Sequence, residues 1–506
     1  LTNQSLPVVR SLADDFSLSA AFVRLVGRGG CLWLDSASPG PLISASASSP
    51  PHAAPQRLGR YSFLTADPIA QLIAAVGDDS PWDALQAWCR ELPGDRVANL
   101  PPFQGGIAGL IGYEAATWLE SSVAPAAIDD FPTPAISLGL YDWTIAVEHS
   151  TGRSWIISQG LGATTPADRY QRACDRVDQV QAWLAEEPMH VDAAAGNPAS
   201  GLQTRCPDGY VPTDRPRLWS NFSGSQYRSA VSDIIQRIKR GDSFQVNLAQ
   251  RLLAPATCSA VELYLRLREF NAAPYGGYYG GTDVDGRPFE VLSSSPEGFL
   301  KIRDGRIETR PIKGTVRRTG DPAIDRQLAT ELQQSVKDRA ENTMIVDLMR
   351  NDLSRVCRDE SIRVGQLCEL EQYEHVQHLV SVVQGDLEPG DMSPASNSLA
   401  AIQACFPGGS VTGAPKVEAM RTIAELEPHR RGPYCGSLGY ISCGGDADFN
   451  ILIRTITAAD GYWQIPVGGG VTARSLPTAE ELETWIKSAG MLRAVLGEEV
   501  GSEILR

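Results

Sequence analysis

The sequence predicts a mixed fold in which helices and strands follow one another without regular alternation. Two kinds of periodicity carry this. Apolar Tyr227, Val231, Ile234, Ile235 and Ile238 recur at helical spacing across residues 225–240. Short apolar, β-branched runs at Cys31–Leu34, Ala135–Leu140, Gly436–Ile441 and Phe449–Ile456 read as strands. No internal repeat, dinucleotide fingerprint or phosphate loop is present; the glycine-rich Gly408–Lys416 lacks the required ending.

Each element has a local reason. Gly241 is a plausible C-cap for the 225–240 helix. Residues 321–353 read as mostly helix, with Leu328, Leu332 and Val336 as the buried stripe, and 170–184 as a helix buried through Val177, Val180 and Trp183. Ser36–Pro55 is rich in Ser, Ala and Pro and reads as a loop insertion. Residues 191–216 read as a linker between a 1–190 region and a 217–506 region.

The chain has 506 residues, with 42% hydrophobic and 21% charged, ordinary for a globular protein. Its net charge of -15 disfavours nucleic acid and anionic lipid as partners. No run of about 18 apolar residues predicts a membrane span, and no apolar signal core opens the chain. Ten scattered cysteines without a CxxC pair read as reduced thiols of a cytoplasmic protein.

Chemistry concentrates in the second region. Lys313 lies between Pro311 and Gly314, sixteen positions after Glu297. An amine that attacks carbon and a carboxyl that moves a proton are the parts of covalent catalysis. Asp338 with Glu341, and Glu480 with Glu483, are two carboxylate pairs three residues apart, each on one helix face. Brought together they would form an all-oxygen site suited to Mg²⁺; taken alone, such pairs are usually solvated.

Longer motifs decide between these readings. Gly241-Asp-Ser-Phe-Gln-Val-Asn-Leu-Ala-Gln-Arg251, Lys337–Asn342 continuing to Asp352, Val376–Ser381, Phe406–Lys416, Arg431–Gly436 and the Arg454 segment stand in one order. Together they resemble the chorismate-utilising enzymes, a family that includes anthranilate synthase component I and aminodeoxychorismate synthase component I. The resemblance implies an α+β fold of two face-to-face β-sheets with helices packed outside.

It also implies roles. Glu341 and Glu483 would contact Mg²⁺, with Asp338 and Glu480 supporting through water. Tyr434, Arg454 and the backbone N–H groups of Gly468, Gly469 and Gly470 would hold the enolpyruvyl carboxylate, with Thr315 among the substrate contacts. His378 would sit near the leaving hydroxyl or ring carboxylate. Isochorismate and salicylate synthases carry a water-activating lysine where this chain has Gln245, and anthranilate synthases usually have alanine at Lys313. Lysine there, with Asn247, is similar to the branch that aminates chorismate at C4. That branch implies a Lys313 adduct, Glu297 as general acid, 4-amino-4-deoxychorismate as product on the way to 4-aminobenzoate and folate, and a glutamine amidotransferase subunit as the source of ammonia. Ser36, Gly59, Arg60, Tyr61, Ser62, Pro274 and Tyr275 resemble the family's tryptophan pocket. Two rival readings are an anthranilate synthase component and a catalytically silent regulatory subunit binding tryptophan or an amidotransferase.

Which term controls the Lys313 amine is open at this stage: nearby carboxylates raise its pKa, and burial lowers it.

Overall fold

The computed structural model describes residues 5–36, 42–43, 56–131, 133–187, 206–373, 376–389 and 392–497. Most of the 36–55 insertion and much of the 191–216 linker fall outside them. Among the described residues the chain forms two large antiparallel sheets and a small two-stranded one. The larger sheet runs Val8–Ser11, Arg153–Ser158, Trp143–Glu148, Tyr61–Thr65, Leu32–Asp35, Tyr275–Thr282, Pro288–Ser295, Thr455–Ala459, Tyr462–Thr472, Gln245–Pro255, Trp219–Ser220 and Val211–Pro212. The other joins Ile312–Arg317, Val376–Asp386, Arg306–Thr309, Gly298–Arg303, Ala447–Asn450, Ser437–Ser442, Gly106–Ile111, Ile136–Tyr141 and Ala70–Ala74. Strands from both sides of the linker therefore interleave in each sheet.

The sheets pack face to face. Leu32, Phe63, Tyr279, Phe289 and Val291 of one meet Ala108, Leu110, Leu438 and Tyr440 of the other in one buried cluster. Removing this apolar surface from water is the main stabilising term. The outer face of the larger sheet is covered by Leu18–Leu25, Pro166–Ala185, Ala260–Phe270 and Pro477–Leu496. Trp82–Glu91, Val336–Leu353 and Pro394–Cys405 cover the other. The α+β expectation with helices outside is borne out.

The helix expected at 225–240 forms as Gly224–Arg240. Ser223 and Gln226 close a capping box, and Gly241 ends it at φ +93°. The single helix expected over 321–353 is two, Pro322–Gln334 and Val336–Leu353. Ser335 leaves helical geometry and its hydroxyl accepts from Asp338 N, so the serine caps a new helix instead of continuing the old one.

The strand expected over Phe449–Ile456 is also two, and this break organises the site. Ala447–Asn450 belongs to one sheet and Thr455–Ala459 to the other. The chain crosses between them at residues 451–454, with Arg454 at φ +51°. A second crossing joins Pro288–Ser295 to Gly298–Arg303, with Glu297 at the corner. The corners are tied: Ile451 N donates to Glu297 O at 3.0 Å, and Ser294 N to Arg454 O at 3.1 Å.

Gly109 tests the sheet interior. It has φ +137°, and an added Cβ would lie 2.4 Å from Ser137 O. Gly109→Ala is expected to lower unfolding free energy by about 3 kcal/mol or more, seen as a lower urea midpoint; an unchanged midpoint would contradict this packing.

Candidate active site

Lys313 gains its direction from a bulge. Ile312 pairs with Val380 and Thr315 with His378, so one extra residue is accommodated between them. Gly314 takes φ +78° there, and a Cβ at that point would press on Leu332 and Asp338. The Lys313 Nζ donates to Ser410 O at 3.1 Å. Ser410 lies in the short turn Gly409–Val411 that follows Phe406-Pro407-Gly408.

Glu297 is buried at 5% exposure, and its Oε1 has no hydrogen-bond partner. Burial raises its pKa, while Lys313 works in the opposite direction. Burial is also the largest influence on Lys313 and lowers its pKa, outweighing the opposing pull of Glu297 and Glu341. This answers the question left open by the sequence. A lysine moved toward the amine and a glutamate moved toward the acid now face each other.

His378 is buried, and its pKa is pushed down to about 4, by burial first and by Arg454 second. It is neutral near pH 7. Its Nδ1 shares a 2.8 Å hydrogen bond with Thr315 Oγ1, and the Tyr373 ring stands edge-on at 5.0 Å. Arg454 donates from Nη1 to Lys487 O at 2.7 Å. Its pKa is lowered by burial, against Tyr434 and Glu483. A half-buried guanidinium with no carboxylate bonded to it among the described residues suits an incoming anion. Tyr434 is buried nearby, its ring 5.8 Å from the Arg431 guanidinium carbon.

Gly468, Gly469 and Gly470 lie inside the Tyr462–Thr472 strand. Asn247 N donates to Thr412 O and Ala249 N to Glu427, both away from this strand. Their partners are Gly470 and Gly468. In an antiparallel ladder such pairs are the non-bonded ones, so Gly468 and Gly470 turn their N–H groups outward, while Gly469 gives its own to the ladder. The neighbouring strand pairs with this one only over Tyr462–Gln464, which leaves the outward edge open. Gly468 O accepts from Lys487 Nζ at 2.9 Å. Gly470 also leaves room for the Gln245 amide, 2.3 Å from where a Cβ would sit.

The two carboxylate pairs meet across helices Val336–Leu353 and Pro477–Leu496. Lys337 Nζ bridges them, 3.9 Å from Glu341 Oε1 and 3.8 Å from Glu480 Oε1. Lys487 Nζ lies 2.6 Å from Glu483 Oε1. Burial raises the pKa of Glu341 and of Glu480. Burial would raise that of Glu483 as well, but Lys487 and the other lysines reverse it. Asp338 accepts from the capping Ser335 hydroxyl, which turns it toward its own helix end. Among the described residues no three His, Cys, Asp or Glu side chains form a ready metal cage. The donors nonetheless suit Mg²⁺ in kind: all are carboxylate oxygens, and Glu341 Oε1 is buried with no hydrogen bond, facing only the Lys337 ammonium at 3.9 Å among the described residues.

Sequence reasoning missed Lys487, Lys337 and the Ser410 carbonyl. Lys487 had a readable signal, standing four residues after Glu483 on one helix. Lys337 lay inside a quoted motif with no role. A backbone acceptor such as Ser410 O leaves no trace in residue type.

A second cluster gathers part of the proposed tryptophan set. Ser36 N donates to Ser62 Oγ at 2.9 Å, and Ser36 Oγ lies 3.0 Å from Tyr61 O and 3.1 Å from Pro274 O. Arg60 pairs with Glu148 and lies 4.9 Å from the Tyr61 ring centre. Gly59 turns the chain at φ +71°, and the Tyr275 ring packs where a Gly298 side chain would be.

Residues 49–493 match the family described as chorismate binding enzyme. The chain is 35% identical to aminodeoxychorismate synthase component 1 of Bacillus subtilis, over 88% of this chain and 91% of that one. It is 36% identical to the Salmonella typhimurium protein of the same name, over 85% and 88%. It is also 35% identical to anthranilate synthase component 1 of Streptomyces coelicolor, over 88% and 82%. Among solved structures, anthranilate synthase component I from Streptococcus pneumoniae superposes with a TM-score of 0.70 at 26% identity, covering 89% of this chain and 95% of that one. The menaquinone-specific isochorismate synthase of Escherichia coli shares the fold, with a TM-score of 0.67 at 18% identity over 97% and 95%. With motifs, crossing geometry and family match in agreement, this chain belongs to the chorismate-binding enzymes.

Proposed function

We propose that the chain is the synthase component of an aminodeoxychorismate synthase, converting chorismate and ammonia to 4-amino-4-deoxychorismate for 4-aminobenzoate and folate synthesis. The observation that carries this reading is the half-buried Lys313 amine, held on the Ser410 carbonyl with its pKa lowered, in the same electrostatic neighbourhood as the buried Glu297, with its pKa raised.

In the proposed reaction the Lys313 nitrogen attacks C2 of the cyclohexadiene ring. Both ring double bonds shift, the C4–O bond breaks, and Glu297 gives its proton to the leaving hydroxyl, which departs as water. Ammonia then attacks C4, the double bonds return, the C2–N bond to Lys313 breaks, and the new C4 ammonium gives a proton back to Glu297. The two displacements exchange hydroxyl for amine at C4 and leave the enolpyruvyl group in place. Arg454, with the outward N–H groups of Gly468 and Gly470, would hold the enolpyruvyl carboxylate. Neutral His378, fixed by Thr315, can donate or accept one hydrogen bond at the ring without adding charge.

Glu341 and Glu483 would be the carboxylates that hold Mg²⁺, with Asp338 and Glu480 behind them. When bound, the metal would offset the negative charge of the ring carboxylate. The component 1 naming of the relatives supports a partner subunit, here a glutamine amidotransferase supplying ammonia. Ser36 and the residues tied to it are the proposed site for tryptophan.

Purified protein given chorismate, Mg²⁺ and ammonium should form 4-amino-4-deoxychorismate by mass spectrometry, and Lys313→Ala should reduce this to background while remaining folded. Anthranilate as the wild-type product would establish the rival reading. The pH dependence of kcat/KM should be bell-shaped: activity is lost at low pH as Lys313 is protonated, and at high pH as Glu297 loses its proton. The lowered lysine and raised glutamate both increase the fraction of protein with a neutral amine and a protonated acid together, and the two limbs belong to the pair. Glu297→Gln should remove one limb and lower kcat by about 100-fold or more. Chelation should stop turnover and Mg²⁺ restore it; Glu341→Gln and Glu483→Gln should each raise the half-activating Mg²⁺ concentration by about tenfold or more, read from metal titrations.

A further inference from the structure

Arg431 has no part in the chemistry above, yet it is among the most heavily bonded side chains near it. It is buried, and its guanidinium makes four hydrogen bonds. Nε and Nη2 grip Glu427 at 2.9 and 2.6 Å, Nη1 donates to Val411 O at 2.9 Å, and Nη2 also donates to Asn247 O at 3.0 Å. Burial works against its charge and Glu427 overrides that, so it stays a cation. Its plane lies 4.7 Å from the Tyr113 ring and 5.8 Å from Tyr434.

These partners are three separate walls of the active site. Val411 follows Ser410, whose carbonyl receives the Lys313 amine. Asn247 belongs to the strand that pairs with Gly468–Gly470. Tyr434 shares the Arg431–Gly436 loop. Glu427 adds another tie by accepting from Ala249 N at 2.8 Å. The loop backbone is gripped from the first region of the chain: Arg431 N and Gly432 N donate to the two Glu114 carboxylate oxygens at 2.7 and 2.9 Å, and Tyr113 N donates to Gly432 O at 2.8 Å.

We propose that Arg431 is a positioning residue that sets the Ser410 carbonyl against the Lys313 amine, and that Glu114 anchors it from the N-terminal region. A planar fork reaching two carbonyls and a carboxylate together cannot be reproduced by a single ammonium. Arg431, Glu114 and Glu427 also line a small cleft open to solvent. Without the fork the Ser410–Val411 turn loses its tie on that side, and the Lys313 amine that rests on the Ser410 carbonyl is less well shielded from water.

The inference rests on Lys313 as the reacting group, and its test does not depend on which product forms. Arg431→Lys keeps a charge for Glu427 and loses the fork. In the folded variant, kcat with ammonium should fall at least tenfold while KM for chorismate changes less than threefold. Residue-resolved labelling by acetic anhydride should place half-reaction of Lys313 at higher pH than in wild type. Wild-type kcat, or reduced kcat with a wild-type labelling profile, overturns the proposal. If Arg431→Lys fails to fold, Glu114→Gln decides by the same two readouts: it leaves the Arg431–Glu427 pair intact and sets an amide donor against a backbone N–H. Should wild type give another product while the labelling still shifts, the aminodeoxychorismate reading fails and the positioning role stands.

Discussion

The candidate catalytic site depends on two corners at which the chain leaves one sheet for the other. Glu297 occupies one, and Arg454 lies at the end of the other. A strand's side chains alternate between its two faces, but Glu297 and Arg454 stand where the chain has left the ladders. The corners are bonded to one another through Ile451 N and Glu297 O and through Ser294 N and Arg454 O. Glu297 and Arg454, the proposed acid and anion receptor, are thereby fixed in relation to each other by backbone, before any side-chain contact is made. The large sheets serve to make those corners rigid.

Charge is the second constraint. Glu297, Glu341, Glu480 and Glu483 share a small volume with Lys313, Lys337 and Lys487. Each lysine answers differently. Lys337 bridges two helices and has its pKa raised, because its glutamates outweigh burial. Lys313, deeper and bonded only to a carbonyl, is lowered. One cluster thus holds a structural cation and a candidate nucleophile, separated by a balance between desolvation and neighbouring carboxylates.

Much of this was legible in the sequence. Helical periods marked 225–240 and 170–184, and the ordered motifs carried the fold and most of the site. What was not legible has physical reasons. The 321–353 segment looks like one apolar stripe, and only the local bond from Ser335 to Asp338 divides it. The Phe449–Ile456 run is mostly apolar, and apolarity does not say which of two sheets a residue joins. The three glycines resemble one another in sequence, while ladder phase decides that Gly468 and Gly470 face outward. The Lys313 pKa was undecidable without burial, since two opposing effects had to be weighed.

Interleaved strands have a consequence for biogenesis. Gly106–Ile111 has one neighbour close in sequence, Ile136–Tyr141, but its other edge is covered by Ser437–Ser442, and Leu32–Asp35 pairs with Tyr275–Thr282. At roughly 5–20 residues per second of translation, the first of these strands waits on the order of 15–65 s with an apolar edge unpaired. The nascent polypeptide therefore stays exposed to off-pathway association until most of it has left the ribosome, and its expression yield should depend on chaperone supply more than that of a protein built from sequential hairpins.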